Sequence, residues 1–375
     1  MNSQDAYTRL STTIAASAII TRLRGVAHTA RAAQVPIRAI AAHCRKMMAE
    51  STVRSPALAA VDRRLSVAPM MQRTDSHFRR FMRLLTRHTL LYTEMIPLGA
   101  ILEGPRERSL RFDPREQPVA LQVGGADPSG LAEAAGYSEA YGYREINLNC
   151  GCPSHSVQHG GFGIVLMRTP AHTAECVRAM VENTSLPVTV KARIGLDAQR
   201  SDAFLDDFVG AVAEAGCKTF IIHARSAWLK GLSPKQNRSV PPLDYARVHR
   251  LARKRPDLDI IINGGIRSLA EANQFLAQGL GGAMIGRAAW EHPWQFTEAD
   301  QRVFGVDSSL PPTREGALRA HAPYVDRVLA DGEPFHRVAR PLVGLYRDQP
   351  KARRWRRALA ETRTLDDALG HMTAA

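Results

Sequence analysis

Eight short β-type runs, each separated from the next by a helix-patterned segment, constrain the fold of this 375-residue chain more than any other feature. They begin at Leu65 (LSVAPM), Leu90 (LLYTEM), Val119 (VALQVGG), Glu145 (EINLN), Val188 (VTVKARIG), Thr219 (TFIIHAR), Ile260 (IIINGG) and Gly282 (GAMIGR). Strands that alternate with helices pair in parallel, because each connection has to cross a face of the sheet. Eight such units predict an α/β fold of the (β/α)8 TIM-barrel type, with an open doubly wound sheet as the alternative. The polar residues favour the barrel. Met70 and Met71, Glu94, Gln122, Asn149 with Cys152, Lys191 with Arg193, His223 with Arg225, Asn263, and Gly286 with Arg287 all stand at or just beyond the end of a run. Barrel enzymes gather their reacting groups at that C-terminal rim.

The strand pattern stops after Trp294, and the rest of the chain is helix-patterned, which predicts a C-terminal helical domain. The expected division is a basic Ala/Arg-rich extension over 1–60, a barrel over 61–304 and a helical domain over 305–375. The extension carries eight basic residues against Asp5 and Glu50. That composition fits a targeting segment, a basic helical extension or a start codon placed too far upstream. A cytoplasmic location is expected, with mitochondrial targeting by residues 1–60 as the alternative in a eukaryote. No apolar run approaches the roughly 18 to 20 residues of a membrane-spanning helix, so no spanning segment is expected, and no membrane is counted among the expected partners.

Fifty Lys and Arg against 36 Asp and Glu give a net charge of +14, which calls for a polyanionic partner, nucleic acid or an anionic membrane surface. The charge is densest between Arg337 and Arg363, where nine basic residues face only Asp348 and Glu361 and surround Trp355. Arginines beside an aromatic ring suit phosphate contacts and base stacking on RNA; a solvated helix face is the alternative. No protein partner is evident, and a monomer is expected.

Two segments at the end of the barrel pattern, INGGIRS and MIGRAA, place glycines at strand-to-helix turns. Barrels commonly hold a phosphate between the loops after their seventh and eighth strands. With Lys191, His223 and Gln122 on neighbouring strands, the expected ligand is a flat, polar, phosphate-bearing cofactor such as FMN. Lys191 would place positive charge near the pyrimidine end of its ring system and favour the anionic reduced form.

The segment EINLNCGCPSHSVQHGGFG holds two thiols at the end of the fourth run. Cys150, Cys152, His155 and His159 could be taken for zinc ligands, but all four lie within ten residues, whereas structural zinc draws pairs from separated segments. A Cys150–Cys152 disulfide would close a strained ring. No metal is therefore expected. Cys150 directly follows the apolar run and reads as buried packing. Cys152 lies between Gly151 and Pro153, where a thiol at the head of a Gly-rich loop can reach a substrate.

The motifs APMM, LLYTEM, EINLNCGCPS, VTVKARIG, FIIHAR, LKGLSPKQNRSVPPLDY, and INGGI with GR resemble the tRNA-dihydrouridine synthase family, in particular its (20/20a) branch, from about Leu65 to about Leu359. The resemblance implies FMN-dependent reduction of the C5=C6 bond of D-loop uridine, with NADPH as reductant. Hydride would go to C6, and the cysteine of the family's Asn-x-Gly-Cys-Pro motif, here Cys152, would protonate C5. It further implies FMN contacts from Pro69, Met70, Met71, Gln122, Lys191, His223, Asn263, Gly264, Gly265, Gly286 and Arg287. Contacts with tRNA would come from Asn149, Lys235 and Arg238, and from Arg353 and Arg356. Gln72 and Arg73 depart from the acidic and aromatic residues usual after the APMM-type opening, and GGFGIVLM departs from the usual following loop. Two other readings stay open: a barrel flavoenzyme of free pyrimidines, and a barrel that only binds RNA.

Overall fold

The eight runs form eight strands: β1 (Leu65–Val67), β2 (Leu90–Pro97), β3 (Val119–Gly124), β4 (Glu145–Cys150), β5 (Val188–Arg193), β6 (Thr219–His223), β7 (Asp259–Asn263) and β8 (Gly282–Ile285). Each pairs in parallel with its sequence neighbour, and β1 also pairs with β8, so the sheet closes on itself in the order β1 to β8. The computed structural model describes residues 61–307 and 313–373. The extension over 1–60, with its targeting alternative, lies outside the described residues.

Strand side chains alternate, and both faces of this sheet are covered. Leu90, Tyr92, Ala120, Ile221, Ile261 and Met284 fill the barrel interior, while a larger apolar layer, Ile146, Leu148 and Cys150 among it, lies between the strands and the surrounding helices. The opposite phase of β4 sends Glu145, Asn147 and Asn149 into the interior. A buried thiol at Cys150 thus belongs to the packing, as its place next to the apolar run suggests.

Most crossover helices start on a side-chain cap that takes up an orphan N–H of the first turn. Asp75 caps Ser76–Met82, Asp127 caps Pro128–Ala140, Ser201 caps Asp202–Glu214, Asp244 caps Tyr245–Lys254 and Ser268 caps Leu269–Ala277. These caps end the strand-to-helix loops that form the rim.

No strand follows β8 among the described residues; six α-helices do, Arg287–Glu291 and Ala299–Phe304 against the barrel end and then Arg314–Ala330, Phe335–Ala339, Ala352–Glu361 and Leu365–Thr373. Residues 60–375 form one compact unit. Within it, His77 hydrogen-bonds the Tyr324 hydroxyl at 2.7 Å, Phe81 meets the His321 ring edge-on, and Arg340 donates to the carbonyl of Gln72. No helix among the described residues is long and apolar enough to cross a membrane.

Candidate functional site

Matching strand heights bring the sequence-predicted residues to one rim. Asn149 stands opposite Lys191 across β4 and β5, Arg193 opposite His223 across β5 and β6, and His223 opposite Asn263 across β6 and β7. Pro69, Met70 and Met71 extend the end of β1, and Met71 is 57% exposed there. Gln122 lies inside the barrel, one strand before Asn149, and accepts a 2.8 Å hydrogen bond from it.

Cys152 heads a tightly held turn. The side-chain oxygen of Asn149 accepts from the N–H of Gly151 at 3.0 Å and from that of Cys152 at 2.9 Å. Asn149 therefore holds the thiol turn, a role its sequence position alone does not announce. The Cys152 carbonyl accepts from Ile164 N, and its half-buried Sγ lies 3.4 Å from Ser154 Oγ. Gly163 closes this loop at φ +71°, where a Cβ would run into Val157 and the Cys152 carbonyl. Glycine is required there on both counts. Among the described residues no group of three or more His, Cys, Asp or Glu could hold a metal ion.

The rim is positive around Lys191 and His223, while on the β2 side Glu94 accepts from the Arg73 N–H and its carboxyl is pushed up by burial and by Asp75. Burial, followed by the Arg193 charge, pushes the Lys191 ammonium down to about 7, and the one influence that raises it is Cys152. The His223 imidazole is pushed well below its ordinary value by burial and then by Arg193, Lys191, Arg225 and Arg287, so it is neutral at physiological pH. Arg238 is lowered by burial and by Arg287 and Arg73, again with Cys152 acting the other way. Cations gathered without carboxylates among these influences make a site for an anion, since a buried charge is costly unless paired.

Backbone shape agrees. Gly264 (φ +111°) and Gly265 (φ +75°) follow β7 in conformations that side chains rarely adopt; a Cβ at Gly264 would strike the His223 ring and one at Gly265 would reach Leu243 and the Tyr245 hydroxyl. A Cβ at Gly286 would meet only Ala68, at 3.8 Å, so that glycine leaves space open. Asn263 is fixed by its bond to the Met284 carbonyl, and Tyr245 by its bond to the Gly264 carbonyl. Lys191, without an ion-pair partner among the described residues, neutral His223, exposed Arg287 and open glycine backbone fit a flat ring system carrying a phosphate.

Several partnerships escape sequence reasoning even where the residues themselves stand out. Arg193 is buried and donates to the carbonyls of Gly151, Ser226 and Asn237, tying the Cys152 turn to the loop after β6. Asn237, fully buried, organises that loop through Trp228 N–H and the Trp228 and Leu232 carbonyls, leaving Lys235 and Arg238 exposed on its surface. The departing pair Gln72 and Arg73 is built into the C-terminal helices: Arg340 binds the Gln72 carbonyl, and Arg73 and Arg340 both lie over Trp290. The sequence shows Arg193 at a strand end and Gln72 with Arg73 as departures from the family pattern, but not the partners that these residues take.

One expectation is corrected. Trp355 is fully buried, donates its indole N–H to the Leu342 carbonyl and packs on Tyr346, so its ring is not available to stack on a base. Its neighbours Arg353 and Arg356 are exposed on the outer face of Ala352–Glu361, and no hydrogen bond or ion pair joins them to the rim among the described residues.

A closed parallel barrel with a thiol and an anion site at its C-terminal rim defines a TIM-barrel enzyme architecture. Comparison with known proteins makes this specific. Residues 66–375 match the model of the Dihydrouridine synthase (Dus) family, and the chain belongs to that family. It is 49% identical over 304 residues to the tRNA-dihydrouridine(20/20a) synthase of Synechocystis sp., covering 81% of this chain and 90% of that protein. With the enzyme of the same name from Escherichia coli K12 it shares 50% over 300 residues, 80% of this chain and 86% of that one. A solved 2-naphthoyl-CoA reductase shares the fold, with a TM-score of 0.50 and 10% identity over 64% of this chain and 50% of that chain.

Proposed function

We propose that this chain is a flavin-dependent tRNA-dihydrouridine(20/20a) synthase, reducing the C5=C6 bond of uridine at positions 20 and 20a of the tRNA D-loop. The observation that carries the reading is a half-buried thiol, Cys152, held by Asn149 at the barrel rim beside Lys191, which has no ion-pair partner among the described residues, in a chain half identical to synthases of that name. FMN is the expected cofactor and NADPH its reductant; when bound and reduced, the flavin supplies the hydride that adds to C6. Pro69, Met70, Met71, Gln122, Lys191, His223, Asn263, Gly264, Gly265, Gly286 and Arg287 would hold it.

The chain's own residues manage the proton. Cys152 Sγ gives its proton to C5 as negative charge develops there, which is general acid catalysis. Lys191, Arg193 and Arg238 all lie within electrostatic reach of the Cys152 sulfur. Asn149 acts here by holding the turn, and Arg193 by joining that turn to the loop carrying Lys235 and Arg238. Reaching a base inside a folded tRNA requires taking it out of its stack, so phosphate contacts from Lys235, Arg238, Arg353 and Arg356 hold the RNA meanwhile. Residues 61–304 are the catalytic part and 305–375 the tRNA-docking part of a cytoplasmic monomer.

Nucleoside mass spectrometry of tRNA from cells with and without this gene tests the reading. Loss of the two added hydrogens at positions 20 and 20a on deletion, restored by the intact gene, supports it. Unchanged tRNA rejects it.

A further inference from the structure

The interior face of β4 carries three polar side chains, Glu145, Asn147 and Asn149, which meet Gln122 of β3 and Thr189 of β5 inside the barrel. They belong to one hydrogen-bonded chain. At its base the Glu145 carboxylate forms an ion pair with Arg63 at 2.6 Å and accepts from the Tyr92 hydroxyl and, at 2.7 Å, from Thr189 Oγ1. Asn147 Nδ2 donates to Thr189 Oγ1 at 2.8 Å, and Gln122 Nε2 donates to Asn147 Oδ1 at 2.7 Å. Asn149 Nδ2 donates to Gln122 Oε1 at 2.8 Å, and Asn149 Oδ1 receives the N–H groups of Gly151 and Cys152.

The direction of the bonds is set from both ends, by the carboxylate at the base and by the Gly151 and Cys152 N–H donors at the rim. A carboxylate only accepts, and burial together with Glu145 pushes the Tyr92 phenol well up, so Tyr92 stays a donor to it. Thr189 has one hydroxyl proton and gives it to Glu145, so it can only accept from Asn147. Asn147 then turns its oxygen to Gln122, Gln122 turns its oxygen to Asn149, and Asn149 is left with its oxygen toward the Cys152 turn. Glu145, Asn147, Gln122 and Thr189 are at most 1% exposed, so no bulk water substitutes for a lost partner.

We propose that Asn147 is a positioning residue for Cys152, which it does not touch: it fixes the sense of the Gln122 and Asn149 amides and through them the acceptor that holds the thiol turn. The inference rests on Cys152 being the proton donor of the proposed reaction. Without the Asn147 oxygen the buried Gln122 NH2 has lost its acceptor and the Gln122 amide is held only from the Asn149 side. A Gln122 reversal then faces its NH2 against that of Asn149, and the acceptor of the Cys152 turn is held less firmly.

The test compares Asn147→Leu, which removes the amide, with Asn147→Asp, whose carboxyl, kept protonated by burial beside Glu145, still accepts from Gln122 and donates to Thr189. Asn147→Ala is the second amide-free variant, should the added apolar bulk of leucine prevent folding. Iodoacetamide alkylation of the Cys152 peptide is followed by mass spectrometry in the flavin-loaded protein without RNA. Uridine reduction is followed separately. The expected result is alkylation about threefold faster in the amide-free variants. Single-turnover reduction falls about tenfold, KM for tRNA stays within about twofold, and Asn147→Asp stays near wild type. Wild-type alkylation in both amide-free variants, or faster alkylation with unchanged reduction, overturns the inference. Because alkylation needs no RNA, a wild-type protein that never reduces uridine rejects the proposed function and still leaves the alkylation comparison to decide whether Asn147 holds the turn.

Discussion

Lys191 concentrates the electrostatics of the rim in one titratable group. Burial and Arg193 hold it at about 7 in the cofactor-free protein, far below an unfolded lysine. An anion bound beside it favours the charged form, so binding takes up a proton. The sign follows directly: affinity for FMN is greatest where Lys191 is already protonated and weakens as pH rises through about 7 and beyond. Titrating flavin binding by fluorescence quenching from about pH 6 to 9 should show that decline in wild type and not in Lys191→Met. A wild-type affinity flat across that range contradicts the placement of Lys191 beside the bound anion. Lys191 is legible in the sequence because it ends an apolar run. The part played by Asn149 is not, since its partners are set by the β3–β4 register and by the turn that follows.

At the scale of elements, strands were easier to read than side-chain alliances. Parallel strands buried on both faces appear as short continuous apolar runs, and all eight structural strands overlap the runs so marked. Trp355 shows the opposite case. Its basic neighbours suggest an exposed face, yet Trp355, Ala358 and Leu359 recur at helical spacing and form the buried stripe of Ala352–Glu361. The spacing carried the answer and composition concealed it. His321 is a second interior polar group that the sequence does not flag. It lies between Phe81 and Tyr324, both ring nitrogens lack a hydrogen-bond partner among the described residues, and burial pushes it down to about 3. An unfolded histidine titrates near 6.5, so between about 6.5 and about 3 the unfolded chain binds the extra proton and stability falls as pH falls. His321→Leu should leave the melting temperature at pH 7 within a few degrees of wild type and flatten that acid decline. An equally steep decline in the variant would remove His321 as its source.

For the whole molecule, the barrel and the helical segment present cations in different places. Lys235 and Arg238 stand on the loop after β6, and Arg353 and Arg356 on a C-terminal helix. A folded tRNA spanning both would release counterions at each phosphate it presents to a cation, so its affinity should fall steeply with salt. Replacing Arg353 or Arg356 with alanine should weaken binding and lower the log–log salt slope by about one for each phosphate left without its arginine. Filter binding across a salt series measures both, and an unchanged slope in both variants would remove this helix from the RNA surface. The basic composition signals a polyanion and nothing finer; the identity of the relatives supplies tRNA.

The central claim is that Cys152 delivers the proton that completes uridine reduction. Its most direct test is a single turnover of anaerobically reduced, flavin-loaded protein on tRNA lacking dihydrouridine, with product read by nucleoside mass spectrometry. Wild type should form dihydrouridine within the first turnover, and Cys152→Ala should bind flavin and tRNA as tightly yet form it about a hundredfold more slowly, the scale of a lost general acid. Equal rates in the two proteins would contradict the assignment.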